Sequence, residues 1–294
     1  VGIDTWKTHF ETLFRESASD VIDDVNDADD DDDICVSDLD DPITLVEVQK
    51  AIRSLKLGKA CGLDELFGEF FKASEQVVSP FLTRLFNKLY DSGYFPEDWT
   101  RSVLIPLLKK GDPLNPGNYR GISLLSVTSK LFTKILNTRL YKWAEKEEKI
   151  CEEQAGFRKH YSTTDHIFSL VSIIQKCLNE KRKNKVYAAF IDYQVAFDSV
   201  SRESLWRVLK KVKMSTKMLR IIQSMYASVQ ACVRWGATLS DFFDCPGGLK
   251  QGCLLSPLIF SLLISEVADE VTVNGKHGFQ FAPGLREIFL LLFA

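Results

Sequence analysis

Apolar residues recur at helical spacing along much of this chain, and they predict a series of helices. Residues 1–18 read as a short amphipathic helix with Trp6, Phe10, Leu13 and Phe14 on one face. Thr44 to Leu57 repeats the pattern through Leu45, Val48, Ile52 and Leu55, and residues 66–92 predict one or two more helices, interrupted near Pro80. Residues 127–149 turn Leu131, Phe132, Ile135, Leu136, Leu140 and Trp143 inward. Ser162 to Asp165 matches a helix-start signal. The helix it opens places Ile167, Leu170, Val171, Ile174 and Leu178 on one stripe, expected to face the core. Ser201 is expected to cap a helix running through Leu205, Val208, Leu209 and Val212.

Between the helices lie runs of strand character. Ser102 to Leu108 is apolar and ends in the basic turn Lys109-Lys110-Gly111-Asp112-Pro113, and Pro106 is expected to confine it to a sheet edge. Asn118 to Leu125 can return as its partner, forming a hairpin that gathers Lys109, Lys110 and Arg120. Val186 to Ile191 has the shape of a short buried strand ending at Asp192. The final run, Ile288 to Ala294, reads as another buried strand, expected to pair beside the one bearing Asp192. An apolar edge there would favour aggregation.

Charge divides the chain. Residues 1–41 hold 15 acidic and two basic residues, a net of -13, with a run from Asp29 to Asp33. Adjacent like charges repel, so residues 19–41 are expected to be a disordered linker. The rest holds 25 acidic and 35 basic residues, a net of +10, which suits a polyanionic partner. Seven cysteines occur without a C-x-x-C spacing, which argues against a disulfide framework or a zinc site and for a reducing, intracellular setting. No apolar run approaches membrane-spanning length, so no membrane partner is expected.

The candidate chemistry centres on Asp192. A carboxylate at the end of a buried strand needs compensation, and a divalent metal supplies it; a turn or cap role is the ordinary alternative. Six segments in order bear on that choice. They are Gly58-Lys59-Ala60; Leu104 to Asp112; Asn118 to Leu125; Gln154-Ala155-Gly156-Phe157-Arg158; Phe190-Ile191-Asp192 with Ala196-Phe197-Asp198-Ser199-Val200; and Gly248 to Pro257. Together they resemble the reverse transcriptases of non-LTR, LINE-like retrotransposons over essentially the whole chain.

The resemblance implies an α+β, right-hand polymerase fold. Helical fingers would span residues 42–185 and a truncated palm residues 186–294, with no thumb and with the reverse transcriptase domain at about 101–294. It implies RNA-directed DNA polymerase activity on an RNA template, a DNA primer and deoxynucleoside triphosphates, with two Mg²⁺ ions in the complete enzyme. Asp192 matches the catalytic, metal-binding aspartate. Lys109 or Lys110 and Arg120 match the groups that hold the triphosphate, and Phe197 the ring that screens the sugar. Gln251 and Gly252 match the segment beside the nascent base pair, and Arg158 a template or primer contact. Asp198 belongs to the pattern but reads as a helix cap. The parent element would act in nucleus and cytoplasm.

Departures accompany the match. The family's third palm motif is an aromatic residue, Ala and two aspartates, whereas this sequence ends at Phe293-Ala294, so the chain alone is expected to be inactive. His160 stands where the family usually has glycine, a change expected to strain a turn. Cys61 and Leu63 replace typical prolines, and Gln194 and Val195 stand where charged residues are common. Two other readings compete: a non-catalytic nucleic-acid-binding remnant, and a different phosphoryl-transfer fold built around Asp192.

Overall fold

The computed structural model describes residues 1–16, 33–179, 185–193, 195–274, 278–280, 288 and 290–292. The run Asp29 to Asp32, the basic residues 181–183, Gln194 and the final Phe293-Ala294 lie outside the described residues. In chain order the elements are α1 (Ile3–Glu16), α2 (Ser37–Asp40), α3 (Leu45–Arg53), α4 (Gly68–Ala73), α5 (Glu75–Ser92), α6 (Glu97–Thr100), β1 (Ser102–Leu108), β2 (Tyr119–Leu124), α7 (Val127–Lys146) and α8 (Thr163–Asn179). They continue with α9 (Arg202–Lys211), α10 (Thr216–Tyr226), β3 (Gln230–Trp235), β4 (Thr238–Leu239), β5 (Phe243–Asp244) and α11 (Ser256–Asn274). Helices and one mixed sheet make the fold α+β. Two compact units result: residues 1–143 with 195–256, and residues 144–194 with 257–294.

The sheet lies in the first unit, in the order β2-β1-β3-β4, with β5 also on β3. Strands β1 and β2 form the expected antiparallel hairpin, in register from Val103↔Leu124 to Leu108↔Tyr119. Strand β1 is not an edge, because β3 runs parallel to it on the other side. Pro106 is tolerated because that neighbour covers only Ser102 to Leu104, so the missing N–H falls where β1 has a single partner.

Helix α1 closes over this sheet. Trp6 and Phe10 are fully buried, and Trp6 packs against Tyr119 and Trp235. A Cβ on Gly121 would lie 2.8 Å from the Phe10 ring, so the glycine makes room for the helix. A second aromatic cluster joins Phe86, Phe95, Trp99 and Phe132. Burying such rings contributes about 2–3 kcal/mol each.

Helix α3 begins with a capping box between Thr44 and Glu47. Arg139 of α7 then binds Glu47 at 2.7 and 2.8 Å and the carbonyls of Leu39, Asp41 and Pro42. Residues 33–41, assigned by charge to the linker, are structured: Leu39 is buried, and Asp40 accepts from Val36 N–H and the Ser215 hydroxyl at 2.8 and 2.6 Å. Pro80 does not interrupt its helix. The break falls at Ser74, and Pro80 sits exposed in the second turn of α5, where only one helical bond is forgone. Residues 213–247, for which periodicity named no element, form α10 and strands β3 to β5.

The second unit departs more from expectation. Helix α8 starts as read, with Asp165 accepting from Ser162 N–H and hydroxyl at 2.7 and 2.9 Å. Its stripe is not the core, however: Ile167, Val171 and Leu178 are exposed, whereas Cys177 is buried. The helix is apolar on several sides, and a contact from His166 Nε2 to the Leu292 carbonyl at 2.8 Å turns a different side inward. Val186 to Ile191 forms no strand, and Tyr187, Phe190 and Ile191 are exposed. A strand needs a ladder partner, and among the described residues this segment has none. Leu292 pairs instead with Gln154, through Ala155 N–H to Leu292 O and Leu292 N–H to Glu153 O, both 2.9 Å.

Candidate active site

The first unit brings together three sequence-distant segments: the end of β1, the turn at 195–199, and the Gly248 to Gly252 run. The hairpin tip is braced by its own polar groups. Lys109 N–H donates to Asn118 O at 2.9 Å, Tyr119 donates its hydroxyl to Pro113 O at 3.0 Å, and Asp112 accepts from Leu114 N–H at 2.9 Å. Arg120 stands opposite Leu107 on the exposed face, and Lys109 and Lys110 are exposed at the tip. Residues one pleat apart share a face, so Lys109 and Arg120 are diagonal neighbours, close enough for long side chains to converge on one ligand.

The turn at 195–199 closes when Asp198 N–H and Ser199 N–H both donate to Val195 O, at 2.8 and 2.9 Å. Val195 has φ +48°, a left-handed conformation that a β-branched residue adopts only under strain. The Phe197 side chain is half-buried, and its carbonyl accepts from Leu249 N–H at 2.8 Å. The two segments of this contact approach so closely that a Cβ on Gly248, at φ +71°, would lie 2.7 Å from the Asp198 carbonyl. Gly252, at φ +135°, is pressed in the same way on β2: a Cβ there would lie 2.5 Å from Ser123 O. Next to it the Gln251 carbonyl accepts from Ser123 N–H at 2.8 Å.

Asp198 does not cap a helix; Ser201 does, accepting from Ser204 N–H. The Asp198 carboxyl is instead buried, 6% exposed, and accepts a hydrogen bond of 2.5 Å from Gln251 Nε2. Burial pushes it up to about 7, against the opposing pull of nearby Lys109 and the Gln251 bond. Pattern reading missed this residue's role because an Asp three residues before a capping serine looks like turn chemistry.

Two cations, the half-buried Arg202 and the buried Lys250, hold the segment in place. Arg202 donates to the carbonyls of Gly248, Tyr226, Cys245 and Gly247, at 3.1, 3.0, 2.8 and 2.9 Å. Lys250 donates to Thr100 O at 2.9 Å, and burial lowers its ammonium to about 8. Neither was legible in sequence, since nothing local distinguishes a buried cation from a surface one.

Asp192 and Arg158 belong to the second unit. Asp192 is exposed, in a segment without regular structure. Arg158 is bound at its guanidinium by Glu145, at 3.1 and 2.9 Å, and by the carbonyls of Cys151 and Gln154, at 3.0 and 3.3 Å. His160, two residues on, has φ +68°, the conformation that a glycine would take without strain. Among the described residues no three metal-ligating side chains cluster, and no helix is long and apolar enough to cross a membrane.

Comparison with known proteins gives this geometry a setting. A family model described as reverse transcriptase (RNA-dependent DNA polymerase) matches residues 107–294. The chain is 29% identical over 77% of its length to a probable RNA-directed DNA polymerase from transposon BS of Drosophila melanogaster, covering 25% of that protein. It is 31% identical over 77% of its length to the transposon TX1 uncharacterized 149 kDa protein of Xenopus laevis, covering 17% of it. It is 29% identical over 86% of its length to the Pol polyprotein of the type-1 retrotransposable element R2 of Popillia japonica, covering 34%. The chain thus spans about a quarter of the length of such curated relatives. Matched by the family model over most of its length, the chain belongs to the reverse transcriptase family, in the branch carried by non-LTR retrotransposons.

Proposed function

We propose that this chain provides the fingers, residues 42–185, and palm, residues 186–294, of an RNA-directed DNA polymerase that extends a DNA primer on an RNA template. One observation carries the reading: the Lys109 end of the hairpin, the turn bearing Phe197 and the Gln251-Gly252 segment meet in one compact unit. In it Lys109, Lys110 and Arg120 take the triphosphate. The fixed fork of Arg120 bonds two phosphate oxygens at once, and the lysines act as point charges. Phe197 lies under the deoxyribose and excludes a 2′-hydroxyl, and Gln251 and Gly252 line the nascent base pair. Arg158 meets template or primer phosphate, for which it must exchange its bond to Glu145.

Phosphoryl transfer leaves the protein mainly positioning and charge neutralisation. Mg²⁺, when bound, would neutralise phosphate charge and activate the primer hydroxyl. The exposed carboxylate of Asp192 is the right donor type for it, but one carboxylate does not by itself assemble a two-ion site. The parent element works in nucleus and cytoplasm, where its template and target lie.

The test is nucleotide binding by the R120A variant of the full-length protein. Losing a charge-assisted contact of about 2 kcal/mol should raise the KM for deoxynucleotide roughly 10- to 100-fold with primer–template affinity little changed. Unchanged nucleotide affinity would remove the hairpin from the substrate site.

A further inference from the structure

Gln251 can present either of two faces, an N–H donor or a carbonyl acceptor, and Asp198 selects between them. An ionised carboxylate only accepts, so the 2.5 Å bond commits Gln251 Nε2 to Asp198. The Gln251 carbonyl Oε1 is then what the side chain has left, and among the described residues no hydrogen-bond donor meets it. The backbone around this pair is fixed on both sides, by Gly248 against the Asp198 carbonyl and by the Gln251 carbonyl on Ser123. The amide therefore reorients by rotation within a rigid frame.

We propose that Asp198 is a positioning residue that sets the hydrogen-bonding polarity of Gln251 toward the nucleotide. With Asp198 ionised, Gln251 offers Oε1 as an acceptor for a hydroxyl or amino group of the sugar or base edge. With Asp198 protonated, its O–H donates to Oε1, the amide turns, and Gln251 offers N–H donors instead. The charged group facing Asp198 is Lys109 at the end of β1, which favours the ionised form; Lys250, beside Gln251 in the chain, is turned away to Thr100 O. Burial opposes ionisation strongly enough to bring the change into the neutral range. Lys109 thus links the phosphate-holding hairpin to the group that reads the rest of the nucleotide. This rests on the placement of Gln251 at the nucleotide given above.

Two measurements test it. In protein labelled with ¹⁵N-glutamine, the Gln251 side-chain amide signal should titrate with a midpoint near 7, and should be flat in D198N; a flat wild-type signal overturns the proposal. D198N is isosteric and neutral, the form that burial already favours, so it should fold. In the full-length enzyme, the nucleotide KM should rise several-fold as pH falls below about 7, kcat following a separate profile. That rise should be absent in both D198N and Q251M. Since the nucleotide's own phosphate titrates near this range in every variant, the difference from wild type is the readout. If R120A weakens nucleotide binding but D198N keeps the wild-type KM profile, the polarity proposal fails and the polymerase reading stands. If R120A, D198N and Q251M all leave nucleotide binding untouched, the polymerase site fails and this proposal with it.

Discussion

At the scale of single residues, glycines and buried charges decide whether the site exists. Gly252 combines a φ of +135° with a Cβ position 2.5 Å from a backbone oxygen that cannot swing aside. G252A is therefore expected to cost about 2–4 kcal/mol, read as a drop in the urea midpoint at unchanged m-value. A cost below about 0.5 kcal/mol would mean the two segments are not held this closely. Asp198 carries a pH consequence for stability as well. Its folded pKa is raised from 3.8 to about 7, so between those values the folded state holds the extra proton. The stabilisation is complete below about 4 and is lost as pH rises through about 7.

At the scale of elements, Arg139 is the tie between α7 and the segment leading into α3. Its side chain is 9% exposed and serves a carboxylate and three carbonyls. R139M removes all of these bonds, leaving Glu47 only its Thr44 donors and the Leu39 carbonyl only the Tyr90 hydroxyl, with an expected loss of about 3 kcal/mol, measurable by thermal or urea unfolding. The same pair sets an acid limb. Burial alone would raise Glu47, but the bonds from Arg139 and Thr44 outweigh it and hold the carboxyl at about 2. Its contribution is present above the unfolded value of 4.5 and fades as pH falls toward 2. E47Q should flatten stability over that window; an unchanged acid limb would assign it to other carboxylates.

For the whole molecule, charge segregation is the property that bears on nucleic acid. The body beyond residue 41 has a net charge of +10 and the leader -13. By its charge alone, the acidic stretch is expected to compete with phosphates for basic residues of the body. Changing Asp29 to Asp33 to asparagine should raise primer–template affinity roughly threefold or more at low salt, the difference shrinking as added salt screens the charges. Fluorescence anisotropy at several salt concentrations reads this directly, and equal affinities at low salt would show that the leader does not act on the body.

Much was legible from sequence wherever local rules suffice. The faces of α1 and α7, the helix starts at Ser162 and Ser201 and the β1–β2 hairpin follow from periodicity, capping chemistry and turn residues, which act within a few positions. Motif order alone carried the family. Tertiary structure decided what depends on partners. It placed β1 inside the sheet despite Pro106, turned the apolar stripe of α8 outward, left Val186 to Ile191 without a ladder, and joined Asp198 to Gln251 across 53 positions. A strand, a buried face and a shifted carboxyl are each properties of a pair of segments, and one segment's residues do not say which other segment will meet it.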